Sequence, residues 1–249
     1  MLAAKSDIIR RLKREILPLE GLGNNRSGTA MELGLEFMSD AFPEGRFPLG
    51  GVHEMISNGA EAAASTSGFA TGILGGLMKN GGAAVWIGKS PILFPPALKT
   101  FGIPPDQVIF VNLKKDKDIL WAMEEALKCT SLSAVIGEMA ELSFTHSRRF
   151  QLAVEQSKTT GFIFRNRPRI LTPNSCVARW MIKPLPSISE DGLPGITYPV
   201  WQVDLQKIRN GKPGSWIVEW RNGKFQEVEV KENQPAIILQ PLRSTRKTG

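Results

Sequence analysis

The sequence predicts an α/β fold: a mostly parallel sheet with helices on both faces and an antiparallel extension at its C-terminal end. Three observations carry that prediction. Short runs fit for buried strands, at 52–56, 83–87, 108–111, 134–136 and 161–164, alternate with segments of helical period. That pace of alternation is how parallel strands joined by helical crossovers read. From Val177 the pattern changes to alternating strands at 200–208, 215–220 and 225–230, the last two joined by Asn222-Gly223, a two-residue hairpin signal.

Each element has its own reason. Residues 1–17 read as a short helix capped by Ser6 or Asp7, with Ile8, Ile9, Leu12 and Ile16 as an apolar stripe. Either it lies on the core or it docks on another protein. Residues 21–30, rich in Gly, Asn and Ser, read as a flexible linker, so 1–30 form an N-terminal appendage. Apolar periodicity returns over 31–42 and is broken by Pro43, Glu44 and Gly45. A small-residue helix after Gly59 carries Phe69, Ile73, Leu74, Leu77 and Met78 at helical spacing. Asp116 or Asp118 caps a helix running to about Lys128, with Ile119, Leu120, Met123 and Leu127 inward, and Ser147 caps another through about Lys158. The core thus spans 31–230, and the tail 231–249 is expected to be largely disordered at its end.

Composition narrows the function classes. With 249 residues, 42% hydrophobic and 22% charged, the chain is long enough to bury most of its unfolded surface. Nothing approaches the ~20 apolar residues of a membrane span, and no signal-peptide pattern opens the chain, so a cytoplasmic location is expected. Cys129 and Cys176 are isolated, His53 and His146 are solitary, and His53-Glu54 lacks the second His of a zincin, so no metal is expected. Between residues 143 and 183 stand Arg148, Arg149, Lys158, Arg165, Arg167, Arg169, Arg179 and Lys183 against Glu155 alone. That block equals the chain's whole net charge of +7 and suits a polyanion or an acidic partner surface.

The centre of the chain, 47–80, has the order of a phosphate-binding loop: strand, glycine-bearing turn, helix. Such a loop rings phosphates with backbone N–H groups at a helix N-terminus while a Lys supplies charge. Counting G-x-x-x-x-G-K-[ST] from Gly59 places Ala64 at the second Gly, Ser65 at the Lys and Thr66 at the Ser/Thr. Ala64 disfavours the backbone freedom a glycine would bring, Ser65 has no cation, and Glu61 adds a negative charge. Gly88-Lys89-Ser90 spells the end of such a motif, but Ala83 stands where its first Gly belongs and Pro91 follows. Neither loop is expected to drive nucleotide hydrolysis.

A P-loop frame followed by this strand order and an antiparallel meander resembles the RecA-like P-loop NTPase core. Leu33-Gly34-Leu35, Phe47-Pro48-Leu49-Gly50 and Val52-His53-Glu54-Met55 look like its lead into the Walker strand, and Gly59-Ala60-Glu61 like its G-P-E. More closely, residues 120–129, 134–138 and 147–153, Ala178-Arg179-Trp180, Gly214-Ser215-Trp216 and Glu219-Trp220 resemble the ImuA family. That resemblance implies a RecA-like accessory factor of SOS-type translesion synthesis, the error-prone repair of DNA damage. It also implies partners: an ImuB-type polymerase-like protein and an error-prone replicative-type polymerase subunit, with RecA and single-stranded DNA as further candidates.

The residues themselves point away from catalysis. A RecA-type ATPase needs a carboxylate just past its second strand, where Lys89-Ser90 stand, and an acid after a buried strand to hold Mg²⁺. Glu138 is the candidate for the second role, as a vestigial Walker B residue, or else a strand-end charge facing solvent or Arg148. Neither ATP nor Mg²⁺ is expected as a cofactor, and no residue is assigned a catalytic role; a weak or nucleotide-gated ATPase is the alternative. Arg148 and Arg149, placed after Ser147, read either as contacts to an anionic partner or as intrachain pairs to Glu138 or Glu141. Arg165, Arg167 and Arg169 fall at the C-terminal edge of the fifth strand, where open α/β sheets place their sites, and are candidates for DNA or partner binding. The loop at 166–175 offers no aromatic ring for base stacking.

Overall fold

The structure, a computed structural model, describes residues 33–79, 81–89, 93–187 and 197–228. The expected N-terminal helix and linker at 1–30 and the tail at 231–249 lie outside the described residues. The strands are β1 (Val52–Ser57), β2 (Ala83–Gly88), β3 (Val108–Asn112), β4 (Leu132–Glu138), β5 (Thr160–Asn166), β6 (Ala178–Leu185), β7 (Val200–Ile208), β8 (Gly214–Arg221) and β9 (Lys224–Glu227). Among the described residues they form one sheet in the order β3-β2-β4-β5-β1-β6-β7-β8-β9. Pairing is parallel from β3 as far as β6 and antiparallel from β6 to β9. The strands outrun their apolar runs, because Ser57, Glu138 and Asn166 stay in register at the C-terminal ends. Polar residues are thereby held at the sheet edge where a site forms.

Among the described residues three α-helices cover the sheet: α1 (Ala60–Met78) on one face, and α2 (Asp116–Leu127) with α3 (Phe144–Ser157) on the other. Phe69 and Ile73 of α1 share a core with Trp86, Phe162 and Trp180. Ile119 and Met123 of α2 and Phe150 of α3 share a second core with Val135 and Ile163. The side-chain alternation of β4 and β5 supplies both layers.

The glycines of α1 explain how the antiparallel extension reaches it. Gly in a helix costs up to about 1 kcal/mol relative to Ala. Here Gly68 faces the Trp201 ring, and a methyl at Gly72 would overlap the ring of Phe225. Trp220 and Phe225, paired across β8 and β9, pack edge-on at 4.8 Å. Their burial against bare helix backbone offsets the propensity loss. The Asn222-Gly223 turn has φ 52° and 74°, the left-handed pair a tight hairpin requires.

The apolar periodicity noted before Pro43 takes the form of a 3₁₀ segment, Glu36–Ala41. Leu35, Met38 and Ala41 are buried at a spacing of three, the period of the tighter helix. Ser143, rather than Ser147, caps α3, its hydroxyl accepting from the His146 N–H at 3.2 Å. Ser147 is buried inside the first turns, donating to the Phe144 carbonyl and accepting from the Ser175 N–H.

Candidate functional site

A pocket of about 270 Å³ opens at the C-terminal ends of the parallel strands, beside the start of α1. Ser57, Thr66, Lys89, Asp116, Glu138 and Asn166 contribute to its wall. Lys89 and Asp116 form an exposed ion pair at 2.7 Å. The Trp86 indole donates to Glu138 Oε1 at 2.6 Å. Glu138 therefore stands at the end of β4, where the sequence placed it. Thr66 is buried, and its hydroxyl has no hydrogen-bond partner among the described residues.

The counted motif does not form a loop. Only Asn58 and Gly59 separate β1 from α1, and residues 60–66 all lie inside the helix. The cause is local: Ala60, Ala62, Ala63 and Ala64 are the strongest helix formers, and no second glycine interrupts them. Gly59 enters the helix at φ 110°, a conformation open to glycine, and its N–H donates to Asn166 Oδ1 at 3.0 Å. The Arg167 guanidinium lies beside Gly59, where an added Cβ would meet it. Glu61 and Ala64 are exposed on the helix. Ser65 is buried, and its hydroxyl donates back to the Glu61 carbonyl at 3.0 Å. The residues counted as a phosphate cradle are thus divided between helix backbone and helix surface.

The strongest electrostatic feature is one the sequence reading did not identify. Glu54, in the middle of β1, is fully buried. Arg165 Nη1 donates to its Oε1 at 2.6 Å. Arg179 Nε and Asn174 Nδ2 donate to its Oε2 at 2.6 and 2.7 Å. Burial pushes the Glu54 carboxyl up, yet the hydrogen bonds from Arg165, Asn174 and Arg179 outweigh it and hold the group below its ordinary value. A signal was present: a carboxylate inside an apolar run must find a cation, because an unpaired buried charge is too costly. Beside it, His53 is a core residue. Its Nε2 donates to the Pro48 carbonyl, its Nδ1 accepts from the Trp180 indole, and its ring stacks on Phe47 at 4.5 Å. Burial lowers its pKa to about 4, against the opposing hydrogen bond to Pro48.

Arg165 is therefore corrected as a surface binding residue. Its side chain has 0% exposure, and besides Glu54 it bonds Glu141 Oε2 at 3.0 Å and the carbonyls of Ala140 and Ile170. Arg167 and Arg169 are exposed on the loop after β5. Arg148 and Arg149 pair inside the chain, but not with Glu138 or Glu141. Arg149 reaches Glu124 of α2 at 2.7 Å, and Arg148 approaches Glu155 at 3.9 Å. With Ser143 as the cap, neither arginine opposes the helix dipole from the first turn.

Cys129 is exposed and Cys176 buried, both as free thiols, and burial pushes the Cys176 pKa up to about 12. Among the described residues no cluster of His, Cys, Asp and Glu is placed to hold a metal, and no helix is long and apolar enough to cross a membrane.

By fold, the chain is similar to the RadB recombinase in its crystal structure, with a TM-score of 0.55 at 10% identity, over 78% of this chain and 97% of that one. The protein is accordingly a RecA-like α/β protein. By sequence it is 31% identical over 209 residues to Protein ImuA of Caulobacter vibrioides, in each of two strains. The match covers 79% of this chain and 86% of the relative. The chain belongs to the ImuA family. No protein-family model matches it.

Proposed function

We propose that this protein is a non-catalytic RecA-like accessory scaffold of the translesion synthesis machinery, acting in the cytoplasm on error-prone repair of DNA damage. It works through contacts with an ImuB-type polymerase-like protein and an error-prone replicative-type polymerase subunit. Membership of the ImuA family and the RecA-like fold support the setting. One observation carries the non-catalytic part: β1 passes into α1 through two residues, and the Gly59 N–H that would face a phosphate is occupied by Asn166. Without a Lys, and with the Gly59 N–H taken, a triphosphate is left only the first-turn N–H groups of α1 to bind.

Co-purification with an ImuB-type protein tests the scaffold role. Binding by the full chain supports it; failure to bind any polymerase component contradicts it. A second reading, a nucleotide-gated protein of weak affinity, rests on the unpartnered Thr66 hydroxyl beside Lys89 and Glu138 in one pocket. Micromolar affinity for Mg-ATP in calorimetry would favour that reading, and millimolar or no affinity removes it.

A further inference from the structure

The loop from Arg167 to Pro173, after β5, is exposed at every residue but the half-buried Pro168. Ile170 is 67% exposed and Leu171 43%, two adjacent aliphatic side chains directed at water. Arg167 and Arg169 precede them on the same loop, and neither forms an ion pair among the described residues.

The backbone beneath is pinned from several elements. The Arg167 N–H donates to the Ser57 carbonyl at 2.8 Å, and the Arg169 N–H to Glu141 Oε1 at 3.1 Å. Buried Arg165 donates to the Ile170 carbonyl, and Arg179 donates to the Thr172 carbonyl at 2.9 Å. Past the loop, Lys207 donates to the Asn174 carbonyl, Arg209 to the Ser175 carbonyl, and the Ser175 N–H to Ser147 Oγ. Cations that a surface loop would use for binding are spent here on holding its shape.

We infer that this loop is a protein-docking knob: Ile170 and Leu171 enter an apolar cleft of a partner whose rim carries carboxylates that meet Arg167 and Arg169. The proposal rests on the scaffold reading above and names the surface that reading lacks. The charge of the knob selects an acidic rim. Two aliphatic side chains gain nothing from a phosphate backbone, and the loop has no ring to stack on a base, so a nucleic acid fits it poorly. A preformed loop pays little ordering entropy on docking, which is the physical use of so many anchors under an exposed apolar tip.

The test uses the full chain, an ImuB-type protein as probe, and a single-stranded oligonucleotide as comparison. Ile170→Asp with Leu171→Asp should weaken binding to the protein at least tenfold, as loss of a central apolar contact does. It should leave thermal stability and oligonucleotide binding unchanged. Arg167→Glu with Arg169→Glu should weaken protein binding similarly and flatten its salt dependence. Glu141→Ala, which frees the Arg169 N–H and removes one partner of Arg165, should weaken binding with a more unfavourable entropy. Protein affinity within twofold of wild type for the Ile170/Leu171 variant overturns the proposal while leaving the scaffold reading intact. So does a charge reversal that abolishes only oligonucleotide binding. Wild-type chain that binds no polymerase component overturns both.

Discussion

Arg165 and Glu54 meet at 2.6 Å with neither side chain reaching solvent, and their contact ties the end of β5 to the middle of β1. Arg179 closes the other oxygen of the same carboxylate from β6. Breaking a buried pair by deleting one partner leaves a desolvated charge and costs about 3–5 kcal/mol. Arg165→Ala should therefore lower unfolding free energy by that amount in urea denaturation. Arg167→Ala and Arg169→Ala should stay within roughly 0.5 kcal/mol of wild type, as exposed substitutions do. Equal losses at all three positions would contradict the separation of one structural arginine from two surface ones.

Stability should fall as pH drops below neutrality. His53 titrates at about 4 in the folded protein against 6.5 ordinarily, so between those values the unfolded state binds the extra proton and stability rises with pH. The interval is worth roughly 3 kcal/mol at most, fully present above pH 6.5 and lost on the way down to about 4. Glu54 has the same sign at lower pH: its contribution is present above the ordinary carboxylate value of 4.5 and is lost as pH falls through its lowered value. His53→Gln should be less stable at neutral pH yet flat between pH 6.5 and 4.5 in denaturation curves. A wild-type profile already flat in that window would refute the buried neutral imidazole.

Gly72→Ala should destabilise by about 1–3 kcal/mol, although alanine is the better helix former. The added methyl would overlap the Phe225 ring and approach the Trp220 ring at 2.9 Å. Thermal denaturation reads the outcome. A neutral or stabilised variant would mean that the hairpin does not rest on α1 as described.

Much of the fold was legible because parallel strands announce themselves as apolar runs, and β1 to β5 and the Asn222-Gly223 hairpin stand where periodicity put them. Strand ends and caps were less so, since Ser57 and Asn166 are polar residues kept in register by their neighbours. Likewise Ser143 and Ser147 are chemically equal candidates, separated only by the contact of Ser147 with Ser175. Of the site, the absence of a Lys at position 65 was plain. A small-residue helix after Gly59 was legible, but the motif count still treated 59–64 as a loop, where the alanines start the helix at Ala60. The role of Arg165 was misread because a cation after a strand looks exposed until its register places it beside Glu54.

Restoring the letters of the motif should not restore its chemistry. Ala64→Gly with Ser65→Lys supplies the missing glycine and cation, but residues 60–66 remain helical and Asn166 still holds the Gly59 N–H. Mg-ATP affinity in calorimetry should be no better than in wild type. A gain to the micromolar range would show that the loop forms once its residues are present.

Titration of the full wild-type chain with Mg-ATP, followed by a turnover assay, tests the non-catalytic account most directly. The geometry around Gly59 and Asn166 predicts millimolar or no affinity and no phosphate release. Micromolar binding together with sustained hydrolysis would contradict it.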